Sequence, residues 1–552
     1  MTTTVDAGLD FGSTFSTISA VVNGKFVELS LNGSPYIPTE MAIFNGNQIV
    51  IGATAKLISN KSKDYAIYYD LKRWVGVTSQ NFNEIHRKLN PAYNCYFSDG
   101  DCQMYGIGPS KKPYPVKTLI YYYIKTMISL FQSNYSIVVA NINVSVPADY
   151  STIQRTYQKS LLRELGVQLN QIVNEPSAAA IFACYLDPSA SDIIMYDFGG
   201  GTFDVSYVKR LGKIISVVDT VGDLYLGGRD IDASLGKELT KRTGHVFSPF
   251  VLAQIKERLS VTTHTIHEFP SKAGKAIKFT FSGDELDNIA RPYVRRSMQL
   301  VDKLISNNNI TSTTIVMVGG SSLLNESFNQ VKAYADAHSF KLIRDDNLRL
   351  SVSYGCSALF DLNEQSGFTY IDVNSHPLFD IGTNFDPSVV VRKPMPIPYT
   401  HQVRHWNTNL MNTAVCVYEG DDPWFLNDEV LVKAEYRNDE VSRLGEGYNV
   451  VYEYSVDGDI TTAITSLDGK RRKKIENLLK SEFKLVKIDL IQTQLPSSTE
   501  GVVLVDLLKH HKKGGVYEAL DLELPYLVNA EIEKLGGIEK LYNELRQCVD
   551  FV

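Results

Sequence analysis

Up to about residue 365, short apolar runs alternate with longer stretches whose apolar residues recur every three or four positions. This pattern predicts strands interleaved with helices in an α/β domain. The run "SIVVANINVSVPA" predicts a strand, and "YSTIQRTYQKSLLRELG" after it a helix closed by Gly166. "QIVN" predicts a short strand entering the helix "EPSAAAIFACYL", where Pro176 suits the first turn because its missing N–H has no partner there anyway. "TTIVMVGGSS" predicts a strand and a turn, followed by the helix "NESFNQVKAYADAH"; a strand, two glycines and a helix N-terminus make a place suited to an anion. The most apolar long stretch, "KTLIYYYIKTMISLF", is interrupted by Lys125 and predicts a core helix rather than a membrane span.

After residue 366 the period shortens. "VVVRKPMPIPYT", "TAVCVYEG", "EVLVKAEY" and "YNVVYEYSVDGDITTAITSLDGK" alternate apolar with polar residues, and Asp457-Gly458 is a hairpin signal between two such runs. An all-β domain is expected over 366–470. From Lys470, "KRRKKIENLLKSEFKLVK" has a helical period, and Lys470 to Leu490 carries eight basic against three acidic residues. Such a run is more often a solvated helix face than a site for an anionic partner. Near the end, Ile532, Leu535, Ile538, Leu541 and Leu545 mark one apolar helix face that either packs on the β-domain or docks on another protein. The expected division is therefore 1–365, 366–470 and a partly helical 471–552.

Bulk properties narrow the function. A chain of 552 residues with 44% hydrophobic and 21% charged residues is ordinary globular protein of two or three domains. Its net charge of −7 gives no global pull toward nucleic acid or anionic membrane. The six cysteines are scattered, without zinc spacing, and read as free thiols in a reducing compartment. The start "MTTTVDAGLDFGS" has no basic-then-apolar leader and no run of about 18 apolar residues occurs, so a soluble, cytosolic protein without a transmembrane segment is expected.

One octapeptide needs a special reason. "DFGGGTFD", residues 197–204, places three glycines between two carboxylates at a strand end. Glycine loses more backbone freedom on folding than any other residue, so the run is either a tight hairpin turn or a cradle whose bare N–H groups approach a phosphate. The signature recurs in "GLDFGSTFS" near the N-terminus. Two equivalent strand-turn-strand units imply duplicated halves facing across a cleft, able to hold the two ends of a polyphosphate. A protein kinase is excluded, since its other motifs are missing around this Asp-Phe-Gly.

Six co-linear motifs, "DFGSTFS", "VSVPADYSTIQR", "IVNEPSAAAI", "YDFGGGTFDVS", "VGDLYLGGRDID" and "VMVGGSS", resemble the ATPase domain of the seventy-kilodalton heat-shock chaperones. The resemblance is close over residues 4–365 and weaker to about 470. It implies an actin-like ATPase domain with duplicated halves around a nucleotide cleft, then a β-sandwich-like domain. The last eighty residues do not resemble the chaperones' helical lid and form a short divergent α-helical segment. This combination is similar to the chaperone homologues of closteroviruses, in the crinivirus branch. That likeness implies movement and virion-tail assembly of a filamentous plant RNA virus. The implied partners are viral coat and other virion-tail proteins, with viral RNA and cytoskeletal or plasmodesmal components as further ones. The implied locations are host cytoplasm, plasmodesmata and virion.

The resemblance also assigns residues. Gly12, Ser13 and Thr14, with Gly199, Gly200, Gly201 and Thr202, would hold phosphates of ATP or ADP, and Asp204 closes the second hairpin. Asp10 and Asp197 would hold Mg²⁺ through its waters, carboxylate oxygen being a suitable hard ligand; K⁺ is a further implied cation. Lys72 would reach the γ-phosphate and the attacking water, and Glu175 would orient that water. Gly227, Gly228, Lys256, Gly319, Gly320 and Ser321 complete the nucleotide side. Pro147 and Arg155 match the positions that report nucleotide state to the next domain, although a strand-ending proline and a helix-surface arginine also have ordinary structural uses. The base side departs from the family: Glu257 and Leu323 stand where arginines are expected, and Arg349 where aspartate is usual. Losing guanidinium stacking on a base costs about 1 kcal/mol per contact. A working ATPase, a structural virion protein with a retained ATPase scaffold, and a general folding chaperone remain open in that order.

Overall fold

A computed structural model describes residues 3–492 apart from short internal stretches, among them 262–265, 345–349, 421–428 and 476–484. The expected terminal helix with Ile532 to Leu545 and Arg349 lie outside the described residues.

Two sheets repeat one plan. In the first, the order is Gln168–Asn174, Ile137–Val146, Thr3–Asp10, Phe15–Val22, Lys25–Glu28. In the second, Lys341–Arg344, Thr314–Val318, Asp192–Phe198, Phe203–Leu211 and Ile214–Asp223 occupy the same places, continued by Thr369–Val373 and Pro396–Ile397. Each half begins with an antiparallel hairpin, Thr3–Asp10 on Phe15–Val22 and Asp192–Phe198 on Phe203–Leu211, flanked by two parallel strands. The duplication expected from the repeated Asp-Phe-Gly is therefore present in the topology. The central strands are buried on both faces, as their near-continuous apolar composition requires.

Helices fill the faces as the apolar period predicts. Val116–Tyr135 is the core helix, with Lys117 drawn in and its Nζ over the Tyr157 ring. Thr152–Leu162 opens with a capping box in which Gln154 N–H donates to Ser151 Oγ while Ser151 N–H donates to Gln154 Oε1. It ends at Leu162, short of Gly166, because 3₁₀-type bonds from Glu164 and Leu165 already tighten the last turn. Glu175–Leu186 carries Pro176 in its first turn. The five described cysteines are free thiols.

The β-domain is two four-stranded sheets. One runs Pro387–Val391, Leu378–Ile381, Asn412–Glu419, Glu429–Arg437; the other runs Tyr399–Trp406, Gly447–Tyr454, Ile460–Ser466, Arg472–Ile475. Leu378, Val417, Leu431, Val450, Ile460 and Ile464 close the space between them, in a core continuous with that of the first half.

The helix expected from Lys470 is not formed at its start. Arg472–Ile475 is an edge strand paired with Ile460–Ser466. Sheet pairing satisfies its backbone, and the basic side chains find acids: Arg471 with Glu446 at 3.4 Å, Arg472 with Glu453 at 3.2 Å, and Lys473 with Glu440. Three of the basic side chains are thus paired with acids on the surface, and the rest of the expected helix, 476–484, lies outside the described residues.

The chain then returns to the first half. Leu485, Ile488 and Leu490 pack against its core. Thr118 Oγ1 donates to the Val486 carbonyl at 2.6 Å, Tyr122 OH donates to the Ile488 carbonyl, and Lys487 pairs with Glu164 at 2.7 Å. Ile491–Gln492 adds a parallel strand to Gln48–Ile51. This strap is held along the first half by side-chain, backbone and ion-pair contacts. Burying its three apolar side chains contributes about 2–3 kcal/mol, given that each is only partly covered. A chain ending at residue 475 should therefore melt several degrees below one ending at 492, checked by thermal denaturation; identical melting would remove the strap's structural role.

Candidate functional site

The two hairpins bring four strand ends to one cleft. In the first, Thr39 Oγ1 donates to the Gly12 carbonyl at 2.8 Å and Thr39 N–H to the Thr14 carbonyl at 2.8 Å, which fixes the turn containing Ser13. In the second, Gly199 N–H donates to the Thr202 carbonyl at 3.0 Å and Asp204 pairs with Asp197 across the strands. The hairpins face each other so closely that a Cβ on Gly200 would stand 2.9 Å from Thr14 Oγ1.

The other predicted glycines buttress the second hairpin. Gly228 N–H donates to the Gly199 carbonyl at 3.1 Å and Arg229 N–H to the Gly200 carbonyl at 2.8 Å. Gly227 packs on the backbone of Gly201, where a Cβ would stand 2.5 Å away. Gly319 has φ +83° and a Cβ there would lie 2.4 Å from Asp197 Oδ1, so only glycine fits. Gly320 starts the 3₁₀ turn Gly320–Leu323, from which Ser321 Oγ donates to the Gly199 carbonyl at 2.8 Å. Lys256 Nζ is spent on protein groups, donating to the Gly228 carbonyl at 3.0 Å and Asp232 Oδ2 at 2.9 Å. Half-buried Glu257 and Leu323 give the base side no guanidinium.

Around the gap between the hairpins, Lys72 is buried and paired with Glu175 at 2.5 Å. Ser145 Oγ donates to Asp10 Oδ1 at 2.9 Å. Burial, then the Glu175 charge, push the Asp10 carboxyl from 3.8 up to about 7 against the pull of Lys72 and the Ser145 hydrogen bond. Burial, Glu175 and Asp10 do the same to Asp197, up to about 7. Asp204 is raised well above its ordinary value by burial and by Asp149, Asp197 and Glu175. Burial lowers Lys72, but Glu175, Tyr150 and Asp10 outweigh it and the net direction is up, so the lysine is charged. One ammonium therefore faces Asp10, Asp149, Asp197, Asp204 and Glu175.

A magnesium–nucleotide pair fits this arrangement. Crowded, desolvated carboxylates call for a cation, and the glycine hairpins leave backbone donors bare for the phosphates. Among the described residues no three acids, histidines or cysteines converge closely enough to ligate a metal directly.

A family model described as "Hsp70 protein" matches residues 6–248. The movement protein Hsp70h of Lettuce infectious yellows virus is 39% identical over 543 residues, 98% of both chains. The chain belongs to the viral Hsp70-homologue family. The movement protein Hsp70h of Beet yellows virus is 31% identical over 75% of this chain and 73% of its own. A mitochondrial heat-shock protein of Saccharomyces cerevisiae is 29% identical over 61% of this chain and 56% of its own. Hsp70 family members are ATPases that in general bind nucleotide with Mg²⁺.

Pro147 ends the strand Ile137–Val146, and Arg155 lies between Asn174 and the β-domain. Tyr150 N–H donates to the Pro147 carbonyl at 3.2 Å, and Arg155 Nη2 donates to Asn174 Oδ1 at 2.5 Å, one residue before Glu175. The other flank of Arg155 meets the β-domain hairpin, where a Cβ on Gly458 would stand 2.8 Å from Arg155 Cδ. Beside it, Lys159 pairs with Asp459 at 2.7 Å, and Thr152 N–H and Oγ1 donate to Glu419 at 2.8 and 3.0 Å. Sequence reasoning missed Lys159, Glu419 and Asp459, whose partners lie about 300 residues apart, and Asp149, although it stands inside a quoted motif.

The raised carboxyls make stability depend on pH. Their folded pKa of about 7 exceeds the ordinary 3.8, so the protons they retain stabilise the ligand-free fold fully below 3.8, and that contribution is lost as pH rises through about 7. Melting temperature should fall between pH 5 and pH 8, and the double variant Asp10→Asn/Asp197→Asn should flatten the profile. An unchanged slope in that variant would assign the titration to other groups.

Proposed function

We propose that the chain binds ATP with Mg²⁺ between the two hairpins and hydrolyses it slowly, residues to about 365 forming the nucleotide unit. The observation that carries this is the buried Lys72–Glu175 pair, 2.5 Å long, set among Asp10, Asp197 and Asp204 at the gap between two glycine turns. Phosphoryl transfer to water needs a positioned nucleophile and charge neutralisation more than covalent help. Backbone N–H groups of Gly12 to Thr14 and of Gly200 to Thr202 would bind the phosphates, the Gly199 N–H being taken up by the Thr202 carbonyl. Lys72, held in one place by Glu175, would offer a fixed positive charge to the terminal phosphate. Glu175, the carboxylate bonded to that lysine, would orient the water. Asp10 and Asp197, steadied by Ser145 and by the close packing of Gly319, would hold the hydrated cation, which supplies charge neutralisation between the phosphates when bound.

The relatives' printed name, movement protein, supports a role in virus movement. We assign the ATPase to movement and virion-tail assembly of a filamentous plant RNA virus, with coat and tail proteins as partners and host cytoplasm, plasmodesmata and virion as locations. Arg155 and Pro147, between Glu175 and the β-domain, would couple the two units. A second reading, a structural virion protein on a retained ATPase scaffold, is favoured by the base side, where Lys256 is tied to Asp232 and Glu257 and Leu323 stand at the positions where arginines are expected.

Phosphate release from purified protein tests the choice. Mg²⁺-dependent turnover should fall by a factor on the order of a hundred in Asp197→Ala and in Glu175→Gln, with the melting transition retained. Unchanged turnover in both would remove the assigned roles, and no turnover in the parent chain would leave the scaffold reading. With recognition resting on the phosphates, ATP and GTP should bind within about tenfold of each other, ~1.4 kcal/mol; a hundredfold preference for ATP would mean that other residues read the base.

A further inference from the structure

A cluster of charges roofs the mouth of the cleft, and no role above uses it. Asp70 stands just before the 3₁₀ turn Leu71–Trp74, whose Leu71 and Trp74 belong to the core of the first half. Arg229 is the second residue of the helix Gly228–Thr243, whose Ile231 and Leu235 belong to the core of the second half. Arg229 Nη1 donates to Asp70 Oδ1 at 2.7 Å, so the contact spans the two halves. Arg73 Nε approaches the same oxygen at 3.9 Å, and a Cβ on Gly201 would meet Arg73 Nη2 at 2.5 Å. Arg73 therefore sits directly against the second hairpin turn, and Asp70 links it to Arg229.

The geometry points to Asp70, Arg229 and Arg73 as a clasp that closes the cleft over a bound nucleotide and slows its release. The inference rests on the nucleotide-binding reading and adds the exit step to it. A polyphosphate between the hairpins leaves past Gly201 only when the halves part, and parting breaks the Arg229–Asp70 bond. The backbone of Arg229 is already fixed to the Gly200 carbonyl at 2.8 Å, so its guanidinium moves with the second hairpin, while Asp70 moves with Lys72. Two guanidinium groups, Arg73 and Arg229, stand here against two carboxylates, Asp70 and Asp230, so the roof carries no net charge, and Arg73 Nη2 is the cationic group nearest Gly201. Asp230 belongs to the same neighbourhood but accepts the Gly227 N–H at 2.8 Å, closing the helix start. Arg229, with 38% of its side chain exposed, makes the pair partly solvated, so the effect expected is a few-fold one that salt screens.

The test is displacement of a fluorescent N-methylanthraniloyl ADP from the full chain by excess ADP, with Mg²⁺, in a stopped-flow instrument. At low ionic strength Arg229→Gln and Asp70→Asn should release it about three- to fivefold faster than the parent chain, and Arg229→Lys should stay within about twofold. In 1 M salt the ratios should collapse toward one. A general loosening of the fold would speed release in Arg229→Lys as well and persist in salt, and that outcome overturns the clasp. Equal release from parent and Arg229→Gln at low salt overturns it too, while leaving nucleotide binding intact. A parent chain that binds no labelled ADP overturns the nucleotide reading itself, and the clasp falls with it.

Discussion

The excess of buried negative charge around one lysine is the constraint on which the rest depends. Asp10, Asp149, Asp197, Asp204 and Glu175 share a cleft with Lys72 as the ammonium at its centre. Burying a charge without compensation is costly, and here the cost appears as carboxyls that hold protons up to about pH 7. Such a cleft is poorly suited to standing empty and well suited to a divalent cation. Surrounding elements keep the carboxylates from moving apart: Ser145 on Asp10, the left-handed Gly319 against Asp197, and the parallel strands behind each hairpin.

The same rigidity gives the cleft a route outward. Glu175 follows Asn174, Asn174 accepts from Arg155, and Arg155 packs on the turn at Gly458 in the β-domain. A displacement of Glu175 by ligand would be felt at that turn through three contacts. The Lys159–Asp459 and Thr152–Glu419 bonds hold the β-domain against the same helix, and the 485–492 strap holds the chain leaving it. Motion between the units has to break the Lys159–Asp459 and Thr152–Glu419 contacts.

Much of this was legible in the residues. Apolar period placed the sheets and helices, and the repeat of Asp-Phe-Gly announced the duplicated halves, because a turn that must bare its backbone leaves glycine as a mark. Six motifs in order gave the family. What escaped was pairing at a distance. Arg472–Ile475 has a helical period with its neighbours, yet the free edge at Ile460–Ser466 offered it sheet bonds and nearby glutamates. The strap was hidden because Ile491–Gln492 is a two-residue strand whose partner lies more than four hundred positions earlier. Arg229 was visible in "GGRDID", but nothing local says that its charge crosses to Asp70.

The most direct measurement of the charge imbalance is calorimetric titration of the purified chain with ADP, with and without Mg²⁺, in buffers of differing ionisation enthalpy. If the cleft carboxylates retain protons until a cation arrives, binding should need Mg²⁺ and release protons near pH 6.5, approaching one per site, with the release fading by pH 8.5 as Asp10 and Asp197 ionise unaided. Binding that is indifferent to Mg²⁺ and releases no protons at pH 6.5 would contradict it.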